Sequence, residues 1–244
     1  MKRARWWLFV LALALVGSYV ARYQIRAAVT PVQVAIMGRA TVEERLAEHG
    51  PSARARLQAR FAAAGASYPP QSIVLAGFKQ EKVLHLYALG EKNTPRFVHS
   101  YPVLAASGQL GPKLAEGDRQ VPEGIYRVES LNPNSRFHLS LRLDYPNQFD
   151  RARAQEEGRR ELGGDIMIHG AASSIGCLAI GDPAIEELFV LIADVGRENV
   201  SVILSPLDLR TSPLPAALAT SRPWAPELYE HVRAALSSLP RPPG

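Results

Sequence analysis

The sequence is nearly without cysteine: among 244 residues there is one, Cys177. A single thiol closes no intrachain disulfide, which excludes a disulfide-stapled scaffold and any zinc site built from several cysteines. Runs of like charge are missing as well. Lys and Arg number 28 against 23 Asp and Glu, a formal charge of +5. The arginines stand singly, however, with no basic tract and no interleaved aromatics, so no nucleic-acid partner is expected. Glycine and proline, 18 and 19 residues, stay far below collagen-like or low-complexity levels, and no internal repeat is visible. What remains is an ordinary globular composition, one domain with appendages, long enough to bury a sizeable core without a disulfide or a metal.

Long apolar runs are also absent, save one. Lys2, Arg3 and Arg5 precede an uncharged stretch from Trp6 to Ala21 that Arg22 ends, which is the pattern of an export signal. The stretch falls just short of the ~17 to 25 residues that span a bilayer as a helix, while Trp6, Trp7 and Tyr19 suit the two interfaces. No clear small-x-small cleavage site follows Gly17 and Ser18, which favours an uncleaved inner-membrane anchor over a cleaved signal. Either one sends residues 22 onward to an oxidising compartment, where a lone thiol is an intermolecular bridge or a reactive group.

Four segments follow from the pattern: 1–21 as signal or anchor, 22–70 as a helical stalk, 71–205 as a strand-rich body, and 206–244 as a proline-rich tail with a short helix over Glu227 to Leu239. Within the stalk, Thr41 and Glu44 have capping-box spacing, Gly50-Pro51 divides the helix into two pieces, and Ala53 to Ala64 has high helix propensity. In the body, Ile73-Val74-Leu75 and Lys82 to Leu89 read as a β-hairpin, followed by strands at Phe97 to Leu104, Gly124 to Glu129 and Phe137 to Leu143. Ile166-Met167-Ile168 is a short strand ending at His169-Gly170. Asp182 and Pro183 read as N-cap and first helical residue. Ile185, Leu188, Phe189 and Ile192 then form a buried stripe, with Glu186 and Glu187 off it, and Gly196 stops the helix before a strand from Asn199 to Leu204.

The chemistry-bearing pair is Cys177 and His169, eight residues apart across a loop that contains Gly170 and Gly176. Folded back, this loop brings an imidazole to a thiol, the arrangement of an activated nucleophile, and an imidazolium neighbour lowers a thiol from its free value of about 8.5. Gly176 lets the chain turn so that the amides of Gly176 and Cys177 face one spot and stabilise an oxyanion, with Ser173 or Ser174 as further donors. Asp165, Asp182 or a backbone carbonyl can hold the imidazole tautomer. The bland alternative is a buried, inert thiol beside a structural histidine. No metal is expected, since Cys177 and His169 supply two ligands and His49, His85, His99, His138 and His231 show no paired spacing.

Ile168-His169-Gly170 followed by Ser174-Ile175-Gly176-Cys177 resembles the active-site motif of the L,D-transpeptidase catalytic domain (YkuD type). Gly111-Pro112-Lys113, Gly117-Asp118, Pro122-Glu123-Gly124-Ile125-Tyr126, Asn132-Pro133, Phe137-His138-Leu139-Ser140 and Tyr145-Pro146-Asn147 stand where that family has its strand-and-turn signatures. The likeness spans about residues 72–205. It implies a mainly β (α+β) sandwich-like catalytic domain in the periplasm, needing no cofactor and acting on peptidoglycan stem peptides in wall and cell-shape maintenance. Cys177 would be the nucleophile, His169 the base, and the loop of Gly170, Ser174, Gly176 and Cys177 the oxyanion site. Many members have a longer His-to-Cys interval and a second histidine where this chain has Ile175, and Val121 replaces a common threonine. The compact motif is similar to a proteobacterial branch that includes hydrolases of the link between peptidoglycan and an outer-membrane lipoprotein. The expected activity is therefore L,D-transpeptidation, with L,D-carboxypeptidase or amidase hydrolysis as the alternative and an inactive, membrane-anchored wall-binding scaffold as the rival of another class.

Overall fold

A computed structural model describes residues 38–90, 94–174 and 176–243. The expected signal or anchor at 1–21 lies outside the described residues, as does the first part of the expected stalk. Among the described residues no helix is long and apolar enough to cross a membrane. In chain order the elements are α1 (Val42–Ala63), β1 (Ser72–Phe78), β2 (Val83–Leu89), β3 (Pro95–Pro102), β4 (Ala105–Ala106), β5 (Gly124–Ser135), β6 (His138–Leu143), α2 (Gln148–Glu156), β7 (Met167–His169), β8 (Leu178–Ala179), α3 (Asp182–Val195), a 3-10 turn (Arg197–Asn199), β9 (Val200–Ser205), α4 (Ala216–Ala219) and α5 (Ala225–Ser237).

The strands form one mixed sheet in the order β3-β2-β1-β9-β5-β6-β7-β8-β4. Its hinge is β5. Residues 124–127 of that strand pair with β9, whereas from Val128 onward it pairs with β6, through register shifts around Ser130 and Asn132. The sheet thus divides into two leaves without closing, the mainly β, α+β architecture that the family resemblance implies. Side chains of both leaves join α1 and α3 in one core that includes Phe61, Leu75, Leu86, Leu141, Ile168, Leu178, Leu188 and Val202. The alternate side chains of the first leaf, Ala76, Phe78, Tyr87 and Ile203, pack beneath Leu228, Tyr229, Val232 and Leu236 of α5. Burial on both faces explains why β1, β2 and β9 read as nearly continuous apolar runs.

Three expectations are corrected by packing. The capping box at Thr41 and Glu44 is present, but α1 then runs unbroken through Pro51. A proline inside a helix costs ~3 kcal/mol, and tertiary contacts offset it: Ala53, Leu57 and Phe61 are fully buried, and Arg54 makes a two-point contact with Asp194 of α3 at 2.6 and 2.8 Å. The helix is therefore part of the body, with its side chains in the main core, and not a stalk apart from it. Second, Glu187, although off the apolar stripe of α3, is not left to solvent. It is buried, ion-paired to Arg56 at 2.7 Å and Arg60 at 3.0 Å, and accepts the Tyr101 hydroxyl at 2.9 Å. Third, the N-cap of α3 is Gly181, with Asp182 already in the first turn. The Asp182 carboxylate is used elsewhere, at the candidate site.

Candidate active site

His169 ends β7 and Cys177 immediately precedes β8, and these strands are parallel neighbours with Ile168 opposite Leu178 and His169 opposite Ala179. Carried back one step, this register sets Cys177 beside Met167. Residues two apart on a pleated strand share a face, so Cys177 and His169 are diagonal neighbours on one face of the second leaf. Ile168, Leu178 and Leu141 face the core; Ser140, opposite His169 on β6, is buried on the other face, with its hydroxyl 3.2 Å from the Met167 sulfur. The eight-residue spacing therefore spans a short crossover between two adjacent strands.

The imidazole is held on two sides. Its Nδ1 lies 2.6 Å from the Gly170 carbonyl oxygen, so Nδ1 carries the proton and Nε2 presents a lone pair. A backbone carbonyl thus does the orienting, in place of Asp165 or Asp182. The Phe137 ring stacks on the imidazole, centroids 4.6 Å apart and planes inclined by 24°. His169 Nε2 is buried with no hydrogen-bond partner among the described residues. Burial lowers the His169 pKa and so favours the neutral ring with its lone pair at Nε2, while the Gly170 hydrogen bond opposes this shift.

The Cys177 thiol is half-buried and donates to the Asp165 carbonyl at 3.6 Å. Burial pushes the thiol up; the Met167 amide opposes this, the Asp165 carboxylate adds to the rise, and Lys113 weakly lowers it. The expected imidazolium-lowered thiolate is not found in this arrangement, since thiol and imidazole are both shifted toward their neutral forms and make no hydrogen bond to each other. The expected oxyanion donors are likewise engaged. The Gly176 amide donates to the Ser107 hydroxyl at 2.5 Å, and the Cys177 amide donates to the Ser174 hydroxyl at 2.9 Å, which in turn donates to the Cys177 carbonyl at 2.5 Å.

Two glycines in the loop are there for different reasons. A Cβ on Gly170 would lie 2.6 Å from the Phe137 carbonyl oxygen and 2.7 Å from Asp182 Oδ1; no side chain fits between strand β6 and the carboxylate that accepts the Ala171 amide at 2.9 Å. Gly176 has open space around its Cβ position, nearest atom 3.9 Å, but a φ of +95°. Four non-glycine residues around the site, Arg119, His138, Asp165 and Ala171, also have left-handed φ values of 55°, 78°, 54° and 60°. Strained backbone of this kind persists where surroundings demand it and concentrates at functional sites.

Lys113, Arg119 and Arg142 are basic residues that a substrate carboxylate could meet, but scattered cations of this kind are most often solvated surface, and the sequence does not place them among the site residues. Lys113 is buried and bound to Asp118 at 2.5 Å, and Arg142 is paired with Glu129 and Asp165, both at 2.7 Å. Arg119 is exposed, beside Gly176, with its carbonyl accepting the Ser107 hydroxyl. Ser107, Phe137 and the Asp165 carbonyl carry no signal of their site role in the sequence. A cavity of ≈ 590 Å³, lined by Arg127, Asp144, Asn147 and Glu198 among others, contains neither His169 nor Cys177.

The family model of the L,D-transpeptidase catalytic domain, YkuD, matches residues 79–202. The chain belongs to the YkuD family. This YkuD domain is 37% identical over 135 residues to YafK of Escherichia coli (strain K12), provisionally named an L,D-transpeptidase, covering 53% of this chain and 52% of that one. YafK of Escherichia coli O157:H7 matches with the same figures. The chain spans about half the length of the curated relatives it matches. Among solved structures, the YkuD chain is similar to Pgp2, a helical cell shape determining protein of Campylobacter jejuni, with a TM-score of 0.46 and 23% identity over 56% of this chain and 48% of that one. It is also similar to Bd1075 of Bdellovibrio bacteriovorus, with a TM-score of 0.41 and 19% identity over 57% of this chain and 53% of that one.

Proposed function

We propose that this YkuD protein is an exported cysteine acyltransferase, an L,D-transpeptidase acting on peptidoglycan stem peptides. The observation that carries the reading is His169 itself, whose Nδ1 is fixed by the Gly170 carbonyl and whose buried Nε2 lacks a partner, one strand away from the thiol. A neutral base with an unused lone pair is what a thiol nucleophile needs.

In the proposed reaction, Nε2 takes the thiol proton as the sulfur attacks the carbonyl carbon that follows the L-centre of an L,D peptide bond. The carbonyl π electrons move to oxygen, and the Gly176 and Cys177 amides, turned away from Ser107 and Ser174, hold the resulting charge. Collapse breaks the C–N bond. The leaving D-alanine amine takes the proton from Nε2 and a thioester on Cys177 remains. An amine acceptor such as that of diaminopimelate then gives a crosslink, while water gives carboxypeptidase hydrolysis; where the amine leaving in the first step belongs to a peptidoglycan-linked lipoprotein and not to D-alanine, attack of water on the thioester completes an amidase reaction that releases the lipoprotein. The N-terminal apolar run supports export to the periplasm with attachment at the inner membrane.

The rival, a wall-binding scaffold without turnover, draws on the two occupied amides and the raised thiol. Incubation with tetrapeptide muropeptides separates the readings: the enzyme releases D-alanine and gives crosslinked or shortened products, and Cys177→Ala gives none. Unchanged muropeptides with the wild-type protein would leave the scaffold as the better account.

A further inference from the structure

Folding assembles a second cluster that sequence spacing conceals. His49 comes from α1, His138 from the first position of β6 and Glu186 from the second turn of α3, 89 and 48 residues apart along the chain, and one ligand atom from each lies within 4.8 Å of the other two. We propose that His49, His138 and Glu186 bind one divalent transition-metal ion of the zinc class, as a clip joining α1, β6 and α3.

The orientation of the carboxylate supports this. Glu186 Oε2 faces Arg56 at 3.3 Å, leaving Oε1 to two imidazoles, His138 Nε2 at 3.0 Å and His49 Nδ1 at 3.7 Å. Ligand atoms around a tetrahedral ion with bonds of ~2.0 to 2.2 Å lie roughly 3.5 Å apart, so small side-chain rotations close the set. The outer nitrogen of His49 lies 3.6 Å from Glu48 Oε2, beyond hydrogen-bond distance; closing that gap would complete the carboxylate–histidine–metal relay that orients a ligating imidazole. That same nitrogen is buried without a hydrogen bond. Two imidazoles and one carboxylate suit zinc, copper or nickel and not calcium or magnesium. The set leaves a position for water, and neither Cys177 nor His169 belongs to it.

The clip would brace the candidate active site from behind. His138 follows Phe137, which stacks on His169, and its Cβ would lie 3.1 Å from a Cβ on Gly170. One turn before Glu186, Asp182 accepts the Ala171 amide. An ion holding His138 and Glu186 to α1 fixes the two elements between which the His169-Gly170 turn is wedged.

The test is calorimetric titration of the chelator-treated full chain with Zn²⁺, alongside visible absorption with Co²⁺ and thermal unfolding with and without Zn²⁺. One equivalent should bind, raise the unfolding midpoint and give a Co²⁺ d–d band. Cys177→Ser should leave all three unchanged, while His49→Gln, at a half-buried helix position, and Glu186→Gln should each weaken binding at least about tenfold with the far-UV spectrum preserved. Absence of binding at hundredfold metal excess, binding that survives both His49→Gln and Glu186→Gln, or binding lost in Cys177→Ser would overturn the proposal.

Discussion

The Ser107 hydroxyl accepts the Gly176 amide at 2.5 Å while donating to the Arg119 carbonyl, so one serine from the β4 side holds the loop that carries Cys177. Ser107→Ala frees that amide. The lost hydrogen bonds should destabilise the protein by about 0.5 to 1.5 kcal/mol each, read as a lower unfolding midpoint. If release of this amide precedes oxyanion stabilisation, the first turnover of a stem peptide should be faster in Ser107→Ala than in the wild type.

Gly170 and Gly176 should respond differently to alanine. At Gly170 the new methyl meets a carbonyl oxygen and a carboxylate below 3 Å, forcing β6 or α3 to move; a loss of about 1 to 3 kcal/mol is expected, together with loss of activity. At Gly176 no atom lies closer than 3.9 Å, leaving the left-handed φ alone to cost about 1 to 2 kcal/mol. Thermal unfolding of the two variants checks the order.

The pH behaviour follows from two shifts of opposite sign. His169 is held below its ordinary 6.5, so it stays neutral at pH 6.5 and the acid limb of kcat/KM should lie below that value, with activity falling as Nε2 protonates. Cys177 is pushed above the ordinary thiol value by burial. Without substrate, its alkylation by iodoacetamide should be slow at neutral pH and still rising past pH 9.0. A preformed thiolate–imidazolium pair would instead give fast alkylation at about pH 7.

Glu187 links α1 to α3 through Arg56, Arg60 and Tyr101. Glu187→Gln weakens charge-assisted hydrogen bonds worth about 1.5 to 3 kcal/mol, which in a domain of this size corresponds to roughly 3 to 12 °C in Tm. Calorimetric unfolding measures it.

Local patterning made much of this legible in advance. The β1–β2 hairpin, the Ile185-Leu188-Phe189-Ile192 stripe and the strand ending at His169 all lie in short, strongly periodic segments. What escaped depends on partners far along the chain. Nothing near Pro51 shows that Asp194 and Glu187 will hold α1 straight, and the charge of Glu187 disguises its burial. The passage of β5 through Asn132-Pro133-Asn134 runs against turn propensity because the second leaf needs an edge to pair with. Helix α2 was hidden by its polar composition, although Asn147 and Asp150 form a capping box. At the candidate site, His169 and Cys177 stand out by residue type and glycine context. The occupied amides, the Phe137 stack and the carboxylate of Asp182 beneath Ala171 arise only when separate loops meet.

The most direct measurement is the intact mass of the protein quenched in acid during turnover of a tetrapeptide muropeptide. The account predicts an added mass equal to the substrate less D-alanine, located on Cys177 by peptide mapping and absent in His169→Ala. Turnover with no adduct on Cys177, or an adduct that forms equally well without His169, would contradict it.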